Sequence, residues 1–337
     1  MPHTTDFQAE KALVRAFYAD LDEADKNDVV TVLERYLSDD CLWRGMHPFH
    51  VQEGPKAVAD SFWNPFKAAL PRIQRRQDIF LAGRNSLGTD DSVWVVSMGH
   101  LAGLFDQPWL SIPSTRKLTF LPYCEFNKVF RGKIVETAMF CDIISVMIQA
   151  GLSPLPTQTG AFLLQPGPQT HDGLMFDRQP REAGEKTLAL INSMIGDLTR
   201  ENVYSPIDEL RRSWKEDMNW FGPAGIGATF SLERYEDQHQ RPFRDGLTNM
   251  VFNGHICRLA EGAFGGFFGW ANLSMTASGG FMGLPACERP TEMRVIDMYR
   301  REGDLLAENW IFIDLLHFLN LQGLDVLSRL SKDLATR

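Results

Sequence analysis

Apolar positions recur along the first seventy residues with the spacing of helices. Between 6 and 22, Phe7, Leu13, Val14, Phe17 and Leu21 form the stripe of an amphipathic helix. A second helix is predicted over about 27–37. A third is predicted over about 55–70, kinked at Pro65 because proline supplies no backbone N–H. Beyond residue 77 the period shortens to two, the alternation of a strand with one buried face. Strands are predicted near 77–82, 92–105, 115–130 and 133–141, the last two joined by a tight Arg131-Gly132 turn. A short helix follows at about 143–150 and stops at Gly151, the residue type found just past helix ends. Helices followed by a curved antiparallel sheet predict an α+β cone with one open mouth.

The same order begins again at about 184, with Arg301–Asp304 as the matching hairpin turn. ETAMFCDIISVMIQAG (136–151) matches ENWIFIDLLHFLNLQG (308–323) at an offset of 172, pairing Glu136 with Glu308, Phe140 with Phe312, Asp142 with Asp314 and Gly151 with Gly323. Ile112-Pro113 and Leu284-Pro285 share that offset. Upstream, an offset of 176 pairs Trp94 with Trp270 and Gly103 with Gly279. Further upstream, 177 pairs Asp40 with Asp217, Trp43 with Trp220, Gly45 with Gly222 and Pro65-Phe66 with Pro242-Phe243. Four inserted residues near Asp106–Trp109 and a one-residue slip account for these offsets. So ordered a ladder indicates duplication. The predicted organisation is a first copy over 1–156, a Pro/Gly-rich linker over 157–181 and a second copy over 182–337. Between 153 and 181, five prolines and three glycines break regular structure. Phe162, Leu163, Leu164, Leu174, Met175 and Phe176 in that stretch predict that part of it packs across a domain surface.

The composition changes this picture little. The 337 residues carry 34 basic and 43 acidic side chains, a net charge of −9, which argues against nucleic acid or an anionic membrane as partner. Arg72, Arg75 and Arg76 read as a solvated basic face. The five cysteines are scattered without a CxxC pair and read as small buried hydrophobes, so neither a metal site nor a disulfide framework is expected. No leader-like segment opens the sequence and no apolar run is long enough to span a membrane; a cytoplasmic setting is expected.

Several segments together resemble a known family. TRKLTFLPYCEFNKVFRGKIVETAMFCDIISVMIQAGLSPLP (115–156) resembles the terminal block of SnoaL-like polyketide cyclases, in which a "GKIxE" strand leads to an aspartate and a short helix ending in "QxG". GHLAGLFDQPWLSIPSTRK (99–117) is similar to their glycine-rich strand and turn, and WRGMHPF (43–49) to their early tryptophan–histidine segment. The resemblance covers most of 6–156 and, less closely, 184–330. It implies two tandem cone-shaped modules of the cystatin-like, nuclear transport factor 2-like fold group, each with three helices packed on a curved, mainly antiparallel sheet. It also implies cofactor-free chemistry, with an aspartate as general acid/base in ring closure of a polyketide. Relatives of this fold include hydratases, isomerases and modules that only bind or assemble, so fold does not fix activity. Single-copy relatives that dimerise through their sheets imply an intramolecular pseudo-dimer here, to which contacts between identical chains could add.

Asp142 and Asp314 are the first catalytic candidates. On the last strand, Glu136, Ala138, Phe140 and Asp142 share one face in the first copy; Glu308, Trp310, Phe312 and Asp314 share it in the second. A carboxylate closing an aromatic face would be desolvated and its pKa raised, as a general base requires. Both aspartates also stand just before an apolar helix, where capping N–H groups would lower the pKa instead. Catalyst, cap and polar pocket contact all stay open. His100 is a candidate relay on the face of Trp94, one residue earlier than the histidine of many family members; otherwise it is a half-buried structural histidine. His47 is a candidate for the pocket rim or a plain loop residue. Glu125 faces the pocket or makes a cross-strand pair. Trp43, Phe62, Trp63, Trp94, Trp220, Trp270 and Trp310 could line cavities for a flat apolar ligand, although core packing explains such aromatics equally. Ala138 in place of Trp310 predicts the roomier, more active pocket in the first copy. The expectation is therefore a cofactor-independent enzyme of cyclase, isomerase or hydratase type acting on an apolar oxygenated molecule. The rival reading is a non-catalytic ligand-binding or assembly module.

Overall fold

The computed structural model describes residues 6–90, 92–200 and 205–335, and for 333–335 only the backbone. The first module opens with helices Gln8–Glu23 and Val29–Tyr36. Its strands are β1 (Leu37–Gly45), β2 (Val51–Glu53), β3 (Gln74–Arg84), β4 (Val93–Leu104), β5 (Leu118–Phe130) and β6 (Lys133–Cys141), ordered β2-β1-β6-β5-β4-β3. The second module follows helix Arg181–Leu198 with β7 (Trp214–Phe221), β8 (Ala228–Phe230), β9 (Leu247–Phe252), β10 (Cys257–Glu261), β11 (Phe264–Ala277), β12 (Cys287–Glu302) and β13 (Leu305–Ile313). Its order, β10-β11-β12-β13-β7-β8, mirrors the first, with β9 also on β11. All pairings are antiparallel except β1 on β6 and β7 on β13. Strand β1 was missed in the sequence because it follows a helix without a turn. Its alternating burial at Leu37, Cys41, Trp43 and Gly45 is the strand signal that was there to read.

The expected kink at Pro65 takes the form of a widened π-helical turn, Ala59–Trp63, entering helix Asn64–Ala69. The second module repeats it, with Glu236–Gln240 before Pro242. In each, proline's missing N–H frees a carbonyl one turn back and lets the helix widen.

Strand register corrects part of the repeat alignment. Strands β5 and β12 correspond at the expected offset of 172. On them Glu125 pairs with Ser97 and Asp297 with Phe267, so β4 and β11 match at 170 there. Beyond a bulge at 270–272, Leu101 and Leu273 are equivalent and 172 returns. Trp94 therefore corresponds to Phe264 and Gly103 to Met275, rather than to Trp270 and Gly279. The main length difference lies in the β3–β4 hairpin, residues 85–92 against 262–263 in the second module.

Each sheet has two apolar faces. One lies under its own helices; the other packs on the opposite sheet. Trp94, Phe126 and Phe140 meet Phe264, Phe268, Ile296, Trp310 and Phe312 in this shared layer, with Phe126 and Phe268 ring centroids 5.2 Å apart. Linker residues complete the sheet edges. Phe80 of β3 exchanges backbone hydrogen bonds with Gly173 and Met175, and Ala161 exchanges two with Ala228 of β8. Covering open edges in this way blocks edge-to-edge association. Among the described residues, no helix is long and apolar enough to cross a membrane.

Candidate functional site

A cavity of about 130 Å³ lies inside the cone of the second module. Met194 and Ile195 of helix Arg181–Leu198 close one side. Tyr235, His239 and Gln240 close another, and Trp220, Val295, Asp297, Tyr299, Asn309 and Ile311 form the sheet wall. This reverses the expectation that the first copy is the roomier one. Ala138 and Trp310 differ on the face between the sheets, so their difference adds nothing to either cone. What matters is the helix-facing side. There Tyr18, Trp63, Arg75 and Tyr123 of the first module stand where the second has Ile195, Gln240, Phe252 and Val295. Arg75 is buried rather than solvated. It donates to Asp22 at 3.1 and 3.2 Å and lies over the Tyr18 ring at 3.9 Å.

Asp297 is the acid of the cavity wall. Burial pushes its carboxyl up to about 7, against the stabilising hydrogen bonds of Asn309 and Tyr299. The Asn309 Nδ2 donates to it at 3.0 Å. Burial and the adjacent Asp297 charge raise the Tyr299 hydroxyl well above the phenol range, and they raise Tyr235 too. His239 stacks on Trp220 at 4.0 Å, and burial lowers it to about 3. Its Nδ1 has no hydrogen-bond partner. His255 stacks on Phe267 at 3.7 Å and is lowered to about 3 by burial and by the Arg258 charge. One carboxylate titrating near neutrality thus shares an apolar chamber with two neutral imidazoles and two phenols. Among the described residues, no three His, Cys, Asp or Glu side chains converge as a metal site.

Of the aromatics expected to line a cavity, Trp220 alone borders this one; Asp142, Asp314, His100, His47, Glu125, the other five tryptophans and Phe62 lie elsewhere. Asp142 caps helix Ile143–Gln149, accepting from Ser145 N at 2.9 Å, and its other oxygen accepts from Ala224 N of the second module at 2.8 Å. Asp314 caps helix Leu315–Leu321 through His317 N at 3.2 Å and accepts from His47 N of the first module at 3.0 Å. Burial raises both carboxyls, Asp314 to about 7, while these N–H groups oppose the rise. The Arg294 guanidinium, 3.5 Å from Asp314, opposes it as well. His47 and Ala224 are equivalent positions, so the two aspartates are crossed clasps across one pseudo-twofold interface. His47 contributes its backbone N–H to that clasp, and burial and the neighbouring His50 lower its ring pKa. His100 lies 3.3 Å from Asp78 and edge-on to Phe120. Trp94, Trp270 and Trp310 belong to the layer between the sheets. Trp43 and Trp63 fill the first cone around Phe62. Glu125 does face a cone, as the counterpart of Asp297, but there it is fully engaged: the Tyr18 hydroxyl donates to it at 2.5 Å.

The clasp geometry predicts unequal effects of one conservative change. Asp142 uses one oxygen for each N–H, so Asp142→Asn turns an amide N–H₂ toward Ala224 N or Ser145 N and should cost about 1–3 kcal/mol. Asp314 Oδ1 reaches both His47 N and His317 N, but Oδ2 also accepts from His47 N at 3.0 Å and faces the Arg294 guanidinium at 3.5 Å. Asp314→Asn therefore turns its N–H₂ toward two donors, removes the counter-charge of Arg294 and should cost more than Asp142→Asn. Urea unfolding of both variants measures the difference; equal losses would refute the split.

Asp297 was legible in MRVIDMYR, where a lone acid interrupts an apolar strand with Val295 and Tyr299 on its own face. The reading of the final strand instead followed the face that meets the other sheet.

No family model matches the sequence, and no curated protein does either. Solved structures similar to single modules include a candidate SnoaL-like polyketide cyclase from Jannaschia sp. CCS1, 19% identical, covering 44% of this chain and 94% of that one, with a TM-score of 0.33. A candidate polyketide cyclase from Xanthomonas campestris pv. campestris is 18% identical, covering 42% and 96%, with a TM-score of 0.33. An NTF2-like protein from Burkholderia xenovorans LB400 is 12% identical, covering 41% and 97%, with a TM-score of 0.32. Each module of this chain is an α+β cone by its own strand order, and the likeness to these structures carries no activity with it.

Proposed function

We propose that the second module is a cofactor-independent acid–base catalyst for a small, apolar, oxygenated molecule, with Asp297 as the base. The observation that carries this reading is a buried carboxylate, poised near neutrality, on the wall of a mainly apolar cavity that Asp197 and Glu209 also border. Bases work best when their pKa lies near the working pH, and desolvation supplies that tuning here. Among the described residues no lysine or arginine lines the cavity, so a phosphate or carboxylate handle would find no counter-charge from them. An uncharged carbon acid, with a C–H beside a carbonyl, fits the chamber. Asp297 takes the proton, the C–H pair becomes the C=C of the enolate, and the carbonyl π pair moves onto oxygen. Return of the proton to the same or another carbon, or attack by the enolate within the molecule, completes exchange, isomerisation or cyclisation. In this reading Asp142 and Asp314 hold the modules together and His100 plays no chemical part.

The test uses phenylacetone, which matches the cavity in size and carries acidic C–H bonds. Proton NMR in D₂O should show enzyme-dependent deuteration of its α-carbons, with a rate that rises with pH and levels off above about 7 as Asp297 ionises. Saturable binding without deuteration would leave a ligand-binding module and end the catalytic reading.

A further inference from the structure

A base alone leaves the enolate oxygen unattended, and the cavity holds a group built to receive it. Resting on the Asp297 reading, we propose that His255 donates its Nε2–H to the substrate's carbonyl oxygen, held for that task by Arg258 and by the first module's Asn85.

The tautomer follows from hydrogen-bond chemistry. His255 Nδ1 lies 2.9 Å from an Arg258 guanidinium nitrogen. A guanidinium has donors only, so Nδ1 must present its lone pair and the imidazole proton must sit on Nε2. Arg258 is anchored in turn, its other terminal nitrogen donating to Asn192 at 2.7 Å. The imidazole lies flat on Phe267, interplanar angle 16°, and Phe267 is the cross-strand partner of Asp297. The donor, in the loop between β9 and β10, thus stacks on the strand adjacent to that of the base, and both border one cavity. The Arg258 charge, together with burial, keeps the ring neutral, and a neutral N–H stabilises an oxyanion without giving up its proton. His239 has no such anchor at Nδ1.

The first module reaches into this arrangement through the hairpin that is longer than its counterpart. Asn85 Oδ1 accepts from Arg258 N at 3.0 Å, Asn85 Nδ2 donates to Ile256 O at 2.9 Å, and Ser86 N donates to Arg258 O at 2.8 Å. Three hydrogen bonds therefore pin the segment that follows His255. Asn85 and Arg258 are positioning residues, and His255 is the group that touches substrate.

Phenylacetone and isobutylbenzene separate this role from mere packing, since they share a shape and only the ketone accepts a hydrogen bond. In the full chain, His255→Phe should weaken phenylacetone binding about tenfold and leave isobutylbenzene unchanged. Arg258→Met should do the same in smaller measure. It should also release the ring to titrate closer to the usual histidine range, read by ¹⁵N NMR, where the wild type shows a single Nε2–H tautomer down to about pH 5. Asn85→Ala should weaken the ketone preference without touching a lining residue. An Nδ1–H tautomer, an unchanged ketone preference in His255→Phe, equal losses for both ligands, or no saturable ketone binding each overturns the proposal. Its failure is distinct from that of the base. Deuteration lost in Asp297→Asn while His255→Phe keeps the ketone preference removes only the donor; ketone preference without deuteration removes only the base.

Discussion

Asp297→Asn is expected to lower phenylacetone deuteration by about 10²- to 10⁴-fold, the range of a positioned general base, while leaving phenylacetone binding nearly intact. Asparagine keeps the oxygen that accepts from Asn309 and removes only the ability to hold the proton. The same variant should be more stable than the wild type at alkaline pH. The folded carboxyl titrates at about 7 and the unfolded one near 3.8. Between these values the folded state keeps a proton that the unfolded state has released, so stability falls as pH rises through that window and levels off above about 7. Full ionisation costs the fold up to roughly 4 kcal/mol. Asp314 titrates in the same range and contributes to both proteins, so the difference between the two unfolding curves isolates Asp297. Urea midpoints at pH 5 and pH 8 supply it. A constant difference across pH would mean that Asp297 is ionised throughout and not tuned, whatever the kinetics show.

The duplication was legible because it is written in scaffold residues: Trp43 and Trp220, the paired prolines, and the two capping aspartates recur in order. The site was less legible, for a geometric reason. Each sheet in this chain is buried on both faces, so an apolar face along β6 gives no sign of whether it meets helices or the other sheet. Glu136, Ala138, Phe140 and Asp142 follow the alternation correctly and lie on the shared layer; their neighbours Thr137, Met139 and Cys141 point into the cone. The offset error in β4 has a similar source. Gly103 and Gly279 match as letters, but the eight-residue hairpin 85–92 and the bulge at 270–272 shift the register. The turn residues of NSLGTDDS and the glycines of GAFGGFFGW mark a turn and permit a bulge without fixing how far either moves the alignment. Long-range placement also hid Arg75. Three arginines within five residues look solvated until Asp22 and the rings of Tyr18 and Tyr123 close around one of them.

The two cones show what duplication permitted. At one helix-facing position the first module carries Glu125, bonded to Tyr18 and near the Arg75 charge; the second carries Asp297 facing open volume. One copy became a filled core, which releases its sequence from any ligand. It also serves as a rigid platform, offering His47 N to one clasp and Asn85 to the His255 segment.

Lys11→Met should destabilise the chain by about 3–5 kcal/mol, the cost of breaking a buried ion pair from one side. Lys11 Nζ donates to Glu261 Oε1 at 2.7 Å and to Met175 O of the linker at 2.6 Å, while Glu261 Oε2 accepts from Ala82 N at 2.8 Å. Both side chains are at most 2% exposed, so water cannot enter to take the place of the ammonium. This one pair joins the first helix, the linker and both sheets. Its net worth need not be large, because desolvating two charges offsets most of their attraction. The informative variant is therefore the double change, Lys11→Met with Glu261→Gln. The Gln oxygen can still accept from Ala82 N and its amide can donate to the vacated Met175 carbonyl, so no buried charge remains. The double variant should recover most of the loss and unfold within about 2 kcal/mol of the wild type. Urea denaturation of the wild type, both single variants and the double variant closes the cycle. If the double variant loses as much as the two singles together, the residues are uncoupled and the modules are held by the apolar layer and the aspartate clasps alone.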